Sequence, residues 1–124
     1  MPLRNNLRGE IIMSNFYYDK DAKLETLVPG QNYRKIKAHD GNVMLVEVIF
    51  ENGGFGAEHT HPHEQATYCL EGEFEFNVGG EVKKIGVGDT IYMPSDVPHS
   101  CKVLTPYGRL LDIFSPQRMD FLGK

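Results

Sequence analysis

From residue 34 onward, hydrophobic and polar positions alternate in short runs punctuated by glycine, proline and Asp-Gly turns, the pattern of a chain built from strands. The clearest run is 73–78, Glu-Phe-Glu-Phe-Asn-Val, which puts Phe74, Phe76 and Val78 on one face. Gly79-Gly80 then turns the chain into a partner strand at 81–85. Residues 43–50, VMLVEVIF, are apolar and rich in β-branched side chains, and 34–38 precede them across the Asp40-Gly41 turn, which predicts a hairpin. Segments 90–93, 100–104 and 109–115 supply three more strands between glycine and proline punctuation. Helical character is confined to short pieces near 19–27 and after Pro116. Many short, closely spaced strands predict an all-β sandwich or small barrel, with no internal repeat, linker or low-complexity segment.

One segment breaks this pattern with chemistry: Gly53, then His59-Thr60-His61-Pro62-His63-Glu64-Gln65, then Gly72, answered downstream by Gly88, Pro94 and His99. Alternate residues of a strand share a face, so His59 and His61 would point together and a later strand would bring His99 against them. Imidazole nitrogen suits zinc, nickel, iron and copper, and such a site is useful when one coordination position stays open for water or substrate. A fourth protein ligand should lie close by. Strand parity removes Glu64 and leaves His63 and Gln65 in competition. The competing interpretation, three histidines that merely hydrogen-bond inside a barrel, fits poorly with three in register within two glycine-framed motifs. His63, after Pro62, reads as a surface or rim residue, and His39, beside Asp40-Gly41, as a turn residue.

The spacing resembles the two cupin motifs. The first is Gly, five residues, His-x-His, three or four residues, Glu, six residues, Gly; here Gln65 stands where that pattern has Glu. The second is Gly, five residues, Pro, one residue, Gly, two residues, His, three residues, Asn; it is met by Gly88, Pro94 and His99, with Asp96 in place of the inner Gly and Val103 in place of the final Asn. The resemblance spans residues 34–115 and implies a single-domain jelly-roll β-barrel with Gln65 as fourth ligand. A neutral amide beside three neutral imidazoles leaves the full charge on a divalent ion, making it a better Lewis acid toward a carboxylate or enolate oxygen. It also distances the site from the oxygen-activating cupins, which carry Glu there.

The last predicted strand, Leu110-Leu111-Asp112-Ile113-Phe114-Ser115, is apolar on both faces, so Asp112 shares a buried face with Leu110 and Phe114. A carboxylate there costs stability unless it is paired or has a task. An ion pair with Arg109 or Arg118 is one explanation, catalysis the other.

Four segments sharpen the resemblance: 61–65 (His-Pro-His-Glu-Gln), 71–76 (Glu-Gly-Glu-Phe-Glu-Phe), 97–100 (Val-Pro-His-Ser) and 112–121 (Asp-Ile-Phe-Ser-Pro-Gln-Arg-Met-Asp-Phe). Together they look like the KdgF family, small cupins of pectin and alginate breakdown that linearise 4,5-unsaturated monouronates. The resemblance implies His59, His61, Gln65 and His99 as metal ligands and Asp112, Phe114 and Arg118 as active-site residues. Arg118 would clamp a carboxylate with its planar fork, Asp112 would move protons, and Phe114 would shape the sugar pocket or simply pack the core. It implies one divalent transition metal ion (nickel, zinc, manganese or iron), a small-molecule uronate substrate and a homodimer. The alternatives are a non-catalytic, metal-dependent sugar-acid-binding or sensory cupin, and a cupin dioxygenase.

The 124 residues are enough for one domain with its own core. A net charge of −4 and a pI near 5.7 leave no basic footprint for nucleic acid. No apolar stretch approaches the ~20 residues that cross a bilayer. Cys69 and Cys101 lack metal-type spacing and read as reduced thiols of a cytoplasmic protein. Residues 1–12 are polar, without the apolar segment of a secretory signal, and Met13-Ser14 offers a second start; residues 1–15 are therefore expected to be a leader outside the fold, with 16–124 the cupin domain.

Overall fold

The computed structural model describes residues 3–5 and 11–124. β1 (Leu3–Asn5) and β2 (Ile11–Met13) pair antiparallel as a small sheet of their own; residues 1–2 and 6–10 of the expected leader lie outside the described residues. The other strands are β3 (Glu25–Val28), β4 (Asn32–Asp40), β5 (Val43–Glu51), β6 (Phe55–His59), β7 (Glu64–Glu71), β8 (Phe74–Val78), β9 (Glu81–Ile85), β10 (Thr90–Met93), β11 (His99–Val103) and β12 (Tyr107–Ser115). They form two antiparallel sheets, ordered β10-β7-β12-β5-β4-β3 and β6-β11-β8-β9.

The alternation read from the sequence is what joins the sheets. Phe74 and Phe76 point inward from β8 and meet Phe50, Met93 and Leu110 in one buried cluster, with Phe50 and Phe74 edge to face at 5.2 Å. Each such side chain contributes about 1.5–3 kcal/mol by leaving water. The predicted hairpin is β4–β5, turning at Asp40-Gly41, and β12 lies centrally between β5 and β7.

Two expectations need correction. Segment 19–27 holds only a 3-10 turn, Asp19–Asp21, because Asp19 is held by Lys35 and Lys37 and the following residues pair with β4 as β3. His39 is not in the turn but on β4: its Nδ1 lies 2.7 Å from Gln117 Oε1, and its carbonyl accepts the Tyr17 hydroxyl at 2.7 Å. Gln117 also donates to the Gly41 carbonyl at 3.1 Å. The segment after β12 is thereby tied to the β4–β5 turn, and a 3-10 turn, Met119–Leu122, follows.

The motif glycines shape the ends of these strands. Gly72 has φ of +82°, and a Cβ there would sit 2.6 Å from both Thr105 Oγ1 and the Tyr107 carbonyl. Asp96, standing where the second motif has glycine, itself adopts φ of +63°, a conformation Asp tolerates better than most residues. Its amide donates to the His61 carbonyl at 2.9 Å, so the loop of one motif anchors the loop of the other.

Candidate metal centre

His59 ends β6 and His99 begins β11, directly opposite each other in the register, with ring centroids 4.4 Å apart. His61 is not on that strand. The chain leaves β6 at His59 and enters the other sheet at Glu64, so parity across 59–65, the basis on which the pair was expected to align, does not hold. Pro62 contributes no N–H to a ladder, and the loop, pinned by Asp96, swings His61 back to 5.5 Å from His59 and 4.9 Å from His99. Parity does govern β7: Glu64 points outward to accept the Tyr92 hydroxyl at 2.6 Å, while Gln65 points inward and is 6% exposed.

One candidate ligand atom from each of His59, His61 and His99 lies within 4.8 Å of the other two. Their other nitrogens fix the tautomer. Nδ1 of His59 sits 2.8 Å from the Ala57 carbonyl, that of His61 2.9 Å from the His63 carbonyl and that of His99 2.9 Å from the Val97 carbonyl. A carbonyl only accepts, so each Nδ1 carries the proton and each Nε2 presents a lone pair. Among the described residues, His99 Nε2 is buried without a hydrogen-bond partner. An orphaned buried acceptor is costly, and converging lone pairs repel unless a cation sits between them. The triad is therefore positioned to bind a metal ion. Burial lowers the pKa of both His61 and His99, with neighbouring positive charge acting in the same direction, which keeps them neutral and able to coordinate.

Gln65 Oε1 lies 3.0 Å from His61 Nε2, on the edge of the cluster. The Gln65 amide donates to Thr67 Oγ1 at 3.1 Å, and the Thr67 hydroxyl donates to Asp112 at 2.7 Å. β7 and β12 set this line up, since Thr67 stands opposite Asp112 and Gln65 opposite Phe114. His59, Gln65, His99, Asp112, Phe114 and Arg118 line a cavity of about 160 Å³ whose other walls include Val48, Phe50 and Leu110.

Neither arginine offered as a salt-bridge partner for Asp112 takes that role. Arg109 binds Glu47 at 2.8 Å and Glu71 at 3.2 Å, and Arg118 binds Asp120 through Nε at 3.1 Å and Nη2 at 2.9 Å. Inward-facing Asp112 alternates with outward-facing Arg109, which separates that pair. Burial instead pushes the Asp112 carboxyl up to about 6, against the opposing hydrogen bonds of Thr67 and Gln65 and the charge of Arg118. Phe114 is 3% exposed, with its ring 5.6 Å from His61 and 5.7 Å from Phe121. Arg118 stacks 4.2 Å over Phe121, whose ring also lies 4.0 Å from the Arg34 guanidinium. His63 is half-buried, in keeping with a rim position, and its ring packs against His61 at 5.5 Å.

Thr67, Asp120 and Phe121 are the site residues that sequence reasoning missed. Thr67 shares β7 parity with Gln65, which was a usable signal once Gln65 was singled out. Asp120 and Phe121 belong to a tail without periodicity.

Residues 46–114 match the family model described as Cupin domain. Over 111 residues the chain is 33% identical to the pectin degradation protein KdgF of Dickeya dadantii (strain 3937), covering 89% of this chain and 100% of that one. The chain belongs to the KdgF family of cupins. KdgF from Halomonas sp. superposes with a TM-score of 0.82 at 33% identity, over 88% of this chain and 99% of that one. An RmlC-like cupin from Shewanella frigidimarina NCIMB 400 does so with a TM-score of 0.82 at 34% identity, over 88% and 96%. The two sheets of this cupin are the walls of a jelly-roll, and the histidine triad lies between them. Among the described residues no helix is long and apolar enough to cross a membrane.

Proposed function

We propose that this cupin is an isomerase that converts 4,5-unsaturated monouronates, the monosaccharide products of pectin or alginate lyases, to linear 5-keto-4-deoxyuronates. The observation that carries the reading is Asp112: a carboxylate with no guanidinium partner among the described residues, its pKa raised to about 6, on the wall of a small cavity beside the histidine triad and Gln65. Such a group is poised to exchange a proton near neutral pH. The similarity to a pectin degradation protein supports a substrate drawn from pectin breakdown.

His59, His61, His99 and Gln65 would hold one divalent transition metal ion. Bound there, it would stabilise negative charge developing on substrate oxygens. Arg118, with Nε and Nη2 given to Asp120, keeps its Nη1 edge for the substrate carboxylate. Asp112 takes the proton from the C1 hydroxyl; the C1–O5 bond breaks as the C1 aldehyde forms, and the electron pair passes to O5, leaving an enolate at C5. The C5 carbonyl then forms while the C4–C5 double bond takes up a proton at C4, which Asp112 returns. The net change is one proton moved from O1 to C4, with no other reactant. Phe114 and Phe121 exclude water from the sugar face.

Proton NMR of freshly made 4,5-unsaturated galacturonate with the purified protein tests this. The vinyl C4 proton should give way to a C4 methylene faster than without protein, with one deuteron at C4 in D2O. Saturable binding with no loss of the vinyl signal would leave a sugar-acid-binding protein, and oxygen consumption would indicate a dioxygenase.

A further inference from the structure

We propose that Thr67 is the positioning residue of the metal centre: its hydroxyl, committed to Asp112, holds the Gln65 amide with the oxygen turned toward the histidines. This rests on Gln65 being a ligand.

A side-chain amide has two faces of opposite polarity, and nothing in the Gln65 residue itself decides which one meets the cluster. The decision comes from a row of three side chains. Thr67 is 1% exposed and has a single proton to give. That proton goes to Asp112 at 2.7 Å, because a carboxylate only accepts. The Thr67 oxygen therefore accepts, and what it accepts is the Gln65 N–H at 3.1 Å. The amide nitrogen is thus turned away from the triad and the amide oxygen toward it, 3.0 Å from His61 Nε2. Two acceptors at that separation repel, since His61 carries its proton on Nδ1. An ion shared by both would relieve this. Without the Thr67 hydroxyl, rotating the amide by 180° would place its N–H against His61 Nε2 as an ordinary hydrogen bond, withdrawing both atoms from coordination. Thr67 does not line the cavity, and its hydroxyl bonds to Gln65 and Asp112, so it acts through those two side chains.

The test is Co2+ binding to the full-length, chelator-stripped chain, read by titration and by the visible spectrum, for wild type, Gln65→Ala, Thr67→Val and Thr67→Ser, with folding of each checked by circular dichroism. Outer partners of metal ligands are typically worth about 10–100-fold in metal affinity. Thr67→Val should bind Co2+ ~10-fold or more weakly with an altered spectrum, while Thr67→Ser, which restores the hydroxyl, should match wild type. Thr67→Ala carries the same expectation as Thr67→Val without a methyl against the carboxylate. Wild-type binding by Thr67→Val alongside weakened Gln65→Ala would overturn the role of Thr67 and leave Gln65 a ligand. Equal loss in Thr67→Ser and Thr67→Val would overturn it too, since the hydroxyl would not be the agent. Wild-type binding by Gln65→Ala would remove Gln65 as a ligand and the proposal with it.

Discussion

Asp120 grips the Arg118 guanidinium along one edge, 3.1 Å to Nε and 2.9 Å to Nη2, and leaves the Nη1 edge free of that carboxylate. The arginine is thereby aimed rather than neutralised. Stacking on Phe121 at 4.2 Å fixes its plane, so its remaining rotational freedom is small.

If this geometry prepares Arg118 for a substrate carboxylate, Asp120→Ala should raise KM for an unsaturated uronate about 3–10-fold, with a smaller effect on kcat, because the lost interaction orients a binding group. Steady-state kinetics on the metal-loaded protein decide the point. A lowered KM would mean that Asp120 competes with substrate for the guanidinium.

Asp112→Asn removes a proton carrier while keeping the shape of the side chain. Metal content should stay at the wild-type level and turnover should fall about 10²–10⁴-fold, the range for general acid–base catalysis. Unchanged turnover would end the assignment.

The same substitution should stabilise the metal-free protein. Folding raises the Asp112 pKa from 3.8 to about 6, so the folded chain holds that proton more tightly than the unfolded chain. The group's contribution is most favourable below pH 4, is lost as pH rises through 6 and stays lost above it. At pH 8 the penalty approaches roughly 3 kcal/mol at most, since a tenfold change in proton affinity corresponds to about 1.4 kcal/mol. Asp112→Asn should therefore raise the melting temperature by several degrees at pH 8, and the gain should vanish near pH 4. His61 and His99 titrate with the opposite sign, destabilising the fold below pH 6.5, but they do so in both proteins and cancel in the difference. A gain independent of pH would show that desolvation of the charge is not its cause.

Gln65→Glu restores the residue of the general cupin motif. A carboxylate there would hold a divalent ion more tightly, yet it would add negative charge beside Asp112 and raise that pKa further. The expected outcome is stronger metal retention against a chelator with turnover about 10-fold lower and its alkaline-rising limb moved to higher pH. Faster turnover with an unmoved limb would contradict the view that the neutral amide serves the reaction.

Most of the fold was legible because strand periodicity is a local property. The hairpins 34–38 with 43–50 and 73–78 with 81–85, and the inward face of Phe74 and Phe76, needed only alternation and turn residues to be read. The convergence of His59, Gln65 and His99 was anticipated from motif spacing, and Asp112 beside them from the family resemblance, but the route was not: His61 reaches the cluster through a loop held by Asp96, and Gln65 arrives on the opposite sheet. Cross-strand register carries the rest. That Thr67 faces Asp112, so that a hydroxyl rather than an arginine meets the carboxylate, depends on how β7 aligns with β12, which no local pattern encodes.

Whether this cupin linearises unsaturated uronates with a bound metal is tested most directly by the ultraviolet absorbance of the conjugated double bond in fresh 4,5-unsaturated galacturonate. Native protein, chelator-stripped protein and no protein are followed side by side. Loss should be faster than the blank with native protein, fall to the blank rate after stripping, and recover on adding back one equivalent of divalent metal per chain. Decay at the blank rate with protein shown to be metal-loaded would contradict the proposed reaction.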